Sequence, residues 1–127
     1  MYVYVFRRIT GLSFLAESLE QLWISYNEIS SLDGIKDCIK LKVLYISNNM
    51  IADIKELNAL EKHVNLNDVM FKGNPFTLAD PSQYDKKPVE KQFYQIDVKE
   101  KIPSIEVIDG ELYDVILRSY KKSVEGK

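Results

Sequence analysis

Three nine-residue segments of this chain are written to one formula. Residues 19–27 read LEQLWISYN, residues 41–49 read LKVLYISNN and residues 66–74 read LNDVMFKGN. Each has a leucine first, an aliphatic fourth (Leu22, Leu44, Val69), an apolar residue sixth (Ile24, Ile46, Phe71) and an asparagine ninth. The step from Asn27 to Asn49 is 22 residues and the step from Asn49 to Asn74 is 25. Units this small cannot bury their own apolar faces. Their core must come from stacking one unit on the next, which restricts the chain to a solenoid.

The rest of each unit follows from that constraint. In residues 19–40, Leu19, Leu22 and Ile24 point inward from the strand and turn, and Ile29, Leu32, Ile35 and Cys38 fill the return limb. In residues 41–65, Leu44, Ile46, Ile51, Ile54, Leu57 and Leu60 do the same, and the longer limb predicts a helical turn or two over 58–64. The third strand runs 66–71 and meets Gly73-Asn74-Pro75-Phe76, a strong stop signal. Residues 77–88 read as a polar loop. A helix is predicted over 89–101, with Pro88 in its first turn and Val89, Phe93 and Ile96 on its apolar side. Ile105 and Ile108 predict a last short strand, Asp109-Gly110 a turn, and residues 111–122 a second amphipathic helix. Residues 1–6 are β-prone, and Ile9, Leu12 and Leu15 make a return limb whose strand is incomplete, so the solenoid is expected to begin within a repeat. An uncapped strand edge there predicts self-association through the N-terminal edge. The expected fold class is α/β: a short solenoid with a parallel sheet on its concave face and a helical C-terminal cap. It divides into 1–18 (partial repeat), 19–76 (repeats) and 77–127 (cap and terminal helix).

Two groups of polar and aromatic residues stand out. Asn27, Asn49 and Asn74 follow each strand at the period of the array. An amide side chain offers donors and an acceptor together, so these three are expected to form a ladder that satisfies buried turns rather than a polar active site. Strands alternate faces, so Gln21, Trp23, Ser25, Val43, Tyr45, Ser47, Asp68, Met70 and Lys72 are expected to form a three-by-three outward patch. Its middle row, Trp23–Tyr45–Met70, serves no core, and exposed Trp and Tyr are favoured anchors of protein interfaces. Arg118, Lys121 and Lys122 near the end of the last helix offer a second contact for an acidic partner, or else complement the helix dipole.

Composition excludes several other functions. The formal net charge is -2, so charge marks the chain for neither nucleic acid nor an anionic membrane. No apolar run approaches the roughly 18–20 residues of a membrane span. One cysteine, Cys38, allows no intrachain disulfide, which favours a reducing compartment. One histidine, His63, with no HExxH or CxxC spacing, predicts no metal and no other cofactor. No nucleophile or phosphate-loop motif is present, so an enzyme is not expected. Asp53, Glu56 and Glu61 read as a solvated outer face.

The spelling LxxLxLxxNxIxxIxxL, with Ile29-Ser-Ser-Leu32 and Ile51-Ala-Asp-Ile54, resembles the 22-residue class of leucine-rich repeats. Within that class, LEQLWISYNEISSLDGI and LKVLYISNNMIADIKEL are similar to the axonemal outer-arm dynein light chain 1 family. The Gly73-Asn74-Pro75 stop and the 94–110 segment resemble that family's C-terminal cap, although Gln95 stands where the cap usually has Arg. The resemblance covers about residues 9–110, lacks several N-terminal repeats of the family, and does not extend to residues 1–8. It implies a non-enzymatic light chain. The partner would be a dynein heavy chain motor region near the microtubule, with tubulin a further contact, in the cytoplasm and in the axoneme of a cilium or flagellum. A protein phosphatase-1 regulatory role is the alternative within the same repeat class, and a truncated product of reduced function is another.

Overall fold

Side chains recurring every third residue suit a helix of three residues per turn, where positions i and i+3 eclipse. The return limbs take that form in the computed structural model, which describes residues 6–126. Asp33–Ile35 and Ile54–Leu60 are 3-10 helices, and Leu32, Ile35, Leu57 and Leu60 lie buried on one side. The second limb's helix therefore starts four residues before the predicted 58–64 segment. Asp53 sets that start by accepting a hydrogen bond from the Lys55 N–H at 2.9 Å, so it is a capping residue rather than simply a solvated one. Glu56 likewise reaches back to the first limb, accepting from the Leu32 N–H at 3.4 Å.

The ascending segments form β1 (Gln21–Trp23), β2 (Val43–Tyr45) and β3 (Asp68–Met70), all parallel, with Leu22, Leu44 and Val69 in register. β4 (Val107–Ile108) adds parallel to β3. A fifth strand that the sequence did not announce, β5 (Glu111–Leu112), folds back antiparallel on β4. Asp109 and Gly110 join them with φ of 54° and 81°, the left-handed pair that a two-residue hairpin turn demands. The second helix, α2 (Tyr113–Glu125), begins after this strand and not at residue 111. Glu111 and Leu112 are committed to pairing with Ile108 and Val107.

The first helix, α1 (Tyr94–Lys101), likewise starts later than predicted and is shorter. Residues 89–91 run extended beside 77–79: Ala79 N–H donates to Val89 O and Lys91 N–H to Thr77 O. Thr77 and Leu78 are buried, and buried backbone needs partners, so the segment that read as the helix's first turn serves as a strap instead. Val89 is accordingly 66% exposed and not on an apolar helix face. Phe93 (φ 60°) turns the chain into the helix.

The core is one stack. Leu41, Leu44, Ile46, Ile51, Leu57, Leu60, Leu66, Val69 and Phe71 have almost no exposure, and Tyr94, Val98, Ile105 and Ile108 continue it into the cap. Phe71, Phe76 and Tyr94 meet edge to face, with centroids 5.7 and 6.1 Å apart. Leu19, Leu22 and Ile24, first in the array, are only partly buried against it. Phe6 repeats the backbone bonding of Ile29: its N–H donates to Asn27 and its carbonyl accepts from Glu28, as Ile29 does with Asn49 and Met50, but its side chain is 56% exposed where that of Ile29 is buried. Residues 1–5 of the expected edge strand at 1–6, and with them the self-association built on it, lie outside the described residues.

Candidate partner-binding face

The parallel register sets Gln21, Val43 and Asp68 side by side, and beside them Trp23, Tyr45 and Met70. Trp23 is 68% exposed although it is the largest apolar side chain in the protein. Its ring lies 5.2 Å from that of Tyr45, tilted by 33°. The Tyr45 hydroxyl donates to Asp68 at 2.7 Å. This hydrogen bond, with burial behind it, holds the phenol above its ordinary pKa. Trp23 therefore rests on a ring that is itself fastened, and Val43 and Met70 are half-buried at its flanks.

The lower row departs from the expected patch. Ser47 is only 7% exposed, and its Oγ donates to Ser25 Oγ at 2.9 Å while its N–H donates to the same atom at 3.1 Å. The two serines satisfy each other, so Ser47 is buried, although it still lines a cleft with Met70 and Lys72. Lys72 of the same row is exposed.

That turn is where the asparagines act. Asn49 Oδ1 accepts from Ile29 N–H at 3.0 Å, and its Nδ2 donates to the carbonyls of Ile24, Ile46 and Ser47, each at 3.1 Å. Asn74 accepts from Ile51 and donates to Ile46 and Phe71; Asn27 accepts from Phe6 and donates to Ile24 and Ser25. Each side chain binds its own turn and a neighbour's. Asp109 closes the series from the cap: its Oδ1 accepts from the N–H groups of Phe71 and Lys72, and Tyr94 donates its hydroxyl to the other oxygen. Burial, and then the charge of Asp109, push the Tyr94 phenol far above its usual range, so it stays a neutral donor.

One feature of the site escaped the sequence reading. Tyr26, Asn48 and Gly73 occupy one repeat position, and all three are left-handed, with φ of 60°, 55° and 85°. The side chains shrink along the array from Tyr to Asn to nothing. A cleft of about 480 Å³ opens where they shrink, lined by Tyr26, Met70, Lys72, Pro88 and Glu90 among others. A signal for it was present, since Tyr26 stands where its successors are Asn and Gly.

His63 lies elsewhere, buried in the return limb, with Nε2 2.8 Å from the Ile35 carbonyl. A carbonyl only accepts, so Nε2 carries the proton. Cys38 is buried too, and burial raises its thiol pKa. Among the described residues, no group of three or more His, Cys, Asp or Glu side chains is placed to hold a metal, and no helix is long and apolar enough to cross a membrane. Arg118, Lys121 and Lys122 are exposed on α2.

Residues 17–69 match the family model described as Leucine Rich repeats (2 copies). The chain is similar to leucine-rich repeat-containing protein 56 of Rattus norvegicus and of Mus musculus, at 33% identity over 98 residues in each case. Those alignments cover 76% of this chain and 17% of the relatives, so the chain spans about a sixth of their length. In backbone, it is similar to the leucine-rich-repeat domain of Mex67 from Chaetomium thermophilum. The TM-score is 0.55 at 18% identity, over 73% of this chain and 57% of that one.

Proposed function

We propose that this chain, a leucine-rich-repeat protein by its repeats and by its fold, is a non-catalytic protein-interaction module whose partner docks on the concave face around Trp23, Tyr45 and Met70. The observation that carries this reading is the pairing of an exposed Trp23 with a Tyr45 anchored on Asp68. A rigid aromatic anchor loses little freedom on binding, and such residues dominate interface energies.

The finer reading is a light chain of an outer-arm dynein heavy chain, acting in the cytoplasm and axoneme of a cilium or flagellum. Its support is the repeat spelling of residues 19–35 and 41–57 and the cap resemblance over 94–110. Arg118, Lys121 and Lys122 would then offer the second, tubulin-facing contact. Affinity capture with the purified protein from ciliated cells should recover a heavy chain. Trp23→Ala should weaken its direct binding by about 30-fold or more, the scale of a hot-spot aromatic. The variant should stay folded, because it loses at most the stacking on Tyr45, about 0.5–1.5 kcal/mol. Recovery of phosphatase catalytic subunits alone would replace this partner with the phosphatase alternative. Binding unchanged by Trp23→Ala would remove the concave face from the reading.

A further inference from the structure

The row Trp23–Tyr45–Met70 runs into the rim cleft, since Met70 lines both. Two facts about the cleft call for an occupant. Tyr26, whose backbone conformation the repeat sets, is 78% exposed, so its ring is open to contact at the cleft. Glu90, an exposed residue, lines the same cleft, and its carboxylate forms no hydrogen bond or ion pair among the described residues. Its neighbours are otherwise engaged: Asp109 by Phe71, Lys72 and Tyr94, and Asp68 by Tyr45. Lys42 is paired with Glu20 at 2.6 Å. Among the cleft's lining residues this leaves Glu90 and Asp109 against Lys72, two negative charges to one positive. Burial raises the Glu90 pKa, the Asp109 charge adds to that, and Lys72 only partly offsets it.

We propose that the cleft receives a Lys or Arg side chain of a partner peptide, its cation meeting Glu90 while apolar residues beside it cover Tyr26 and Trp23. The inference deepens the docking reading above and rests on it. The cation supplies the one partner that Glu90 lacks. The Tyr26 ring suits the aliphatic stem of a long basic residue, and a guanidinium also stacks on a tyrosine face.

The test is selection from a displayed library of random peptides against the immobilised chain, followed by titration of the enriched peptides. Enriched sequences should carry a Lys or Arg next to an aromatic or large aliphatic residue. Their affinity should fall about tenfold on Glu90→Gln and drop with added salt, and the variant should lose most of that salt dependence. Glu90→Lys should turn the selection toward acidic peptides. Acidic peptides selected by the unaltered chain, or basic ones indifferent to Glu90→Gln, would overturn the cleft assignment. Peptides that depend on Trp23 but ignore Glu90 would overturn it while leaving the docking face intact. No enrichment, or binders indifferent to both residues, would remove both readings.

Discussion

Removing the Asn49 side chain tests the ladder at its most connected member. Asn49 is fully buried and makes four hydrogen bonds. They are not equal. The Ile24 carbonyl keeps Asn27 as a donor, the Ile46 carbonyl keeps Asn74, and the Ser47 carbonyl keeps the Tyr26 N–H. Only the Ile29 N–H is orphaned by Asn49→Ala. A buried unsatisfied donor costs about 1–3 kcal/mol, and the small void adds to it. A loss of about 2–4 kcal/mol is expected in urea denaturation, with faster hydrogen exchange at the Ile29 amide. Asn49→Asp separates the donor and acceptor roles. It keeps an acceptor for Ile29 but turns a carboxylate toward three carbonyls. Its folded-state pKa must rise above the unfolded value of about 3.9. The folded state then takes up the proton first as pH falls, so the variant should gain stability relative to the parent between neutral pH and about pH 4, and lose it again as pH rises. A flat pH difference, or a loss under about 0.5 kcal/mol for Asn49→Ala, would refute the claim that this side chain satisfies the turn.

Two further perturbations probe other parts of the chain. Gly73→Ala should destabilise the fold by more than about 1 kcal/mol, because φ is 85° and a Cβ there would lie 2.2 Å from Asn48 Oδ1; thermal denaturation checks it. Burial lowers the His63 pKa, against the opposing pull of the Ile35 and Leu60 backbone groups and of Asp37, and its Nδ1 has no partner. A base whose folded pKa is depressed favours the fold only while neutral, so the parent's His63-dependent stability should be constant above about pH 6.5 and fall below it. The difference in urea midpoint between the parent and His63→Gln, followed from pH 8 to pH 5, reads this, and a pH-independent difference would contradict it.

Where the sequence repeats, it could be read. Leu22, Leu44 and Val69 announce the strands and their register because each unit must offer the same face to the next. The three-residue steps carry the return limbs for the same reason. Where the pattern stops, local propensity competed with tertiary need and lost. Residues 89–93 have helical spacing, yet the buried backbone of Thr77 and Leu78 required an extended partner. Leu112 fits an amphipathic helix, yet Asp109-Gly110 closes a hairpin and claims it for β5. Asp109 itself read only as a turn former. Its reach to Phe71 and Lys72 spans 38 and 37 residues, a distance over which no local pattern carries information.

The site was legible to the same degree, and the places where it was not point to its specificity. Alternation alone identified Trp23 and Tyr45 as outward, because any strand in such an array has an outward face. Alternation also placed Ser47 there as an exposed residue, but the strand ends two residues before it and the Ser25–Ser47 hydrogen bond leaves it buried. What the periodic reading treats as noise is the series Tyr26, Asn48, Gly73. The backbone conformation repeats at all three positions while the side chain does not. Stacking demands the first and restricts the second only at Gly73, where a Cβ would meet Asn48. A position fixed in geometry and varied in composition shapes the surface without disturbing the core, and here it lines the cleft with Glu90. In a short solenoid the core is therefore written in what the units share, and the surface in positions such as this one and Trp23–Tyr45–Met70, where they share a conformation but not a residue.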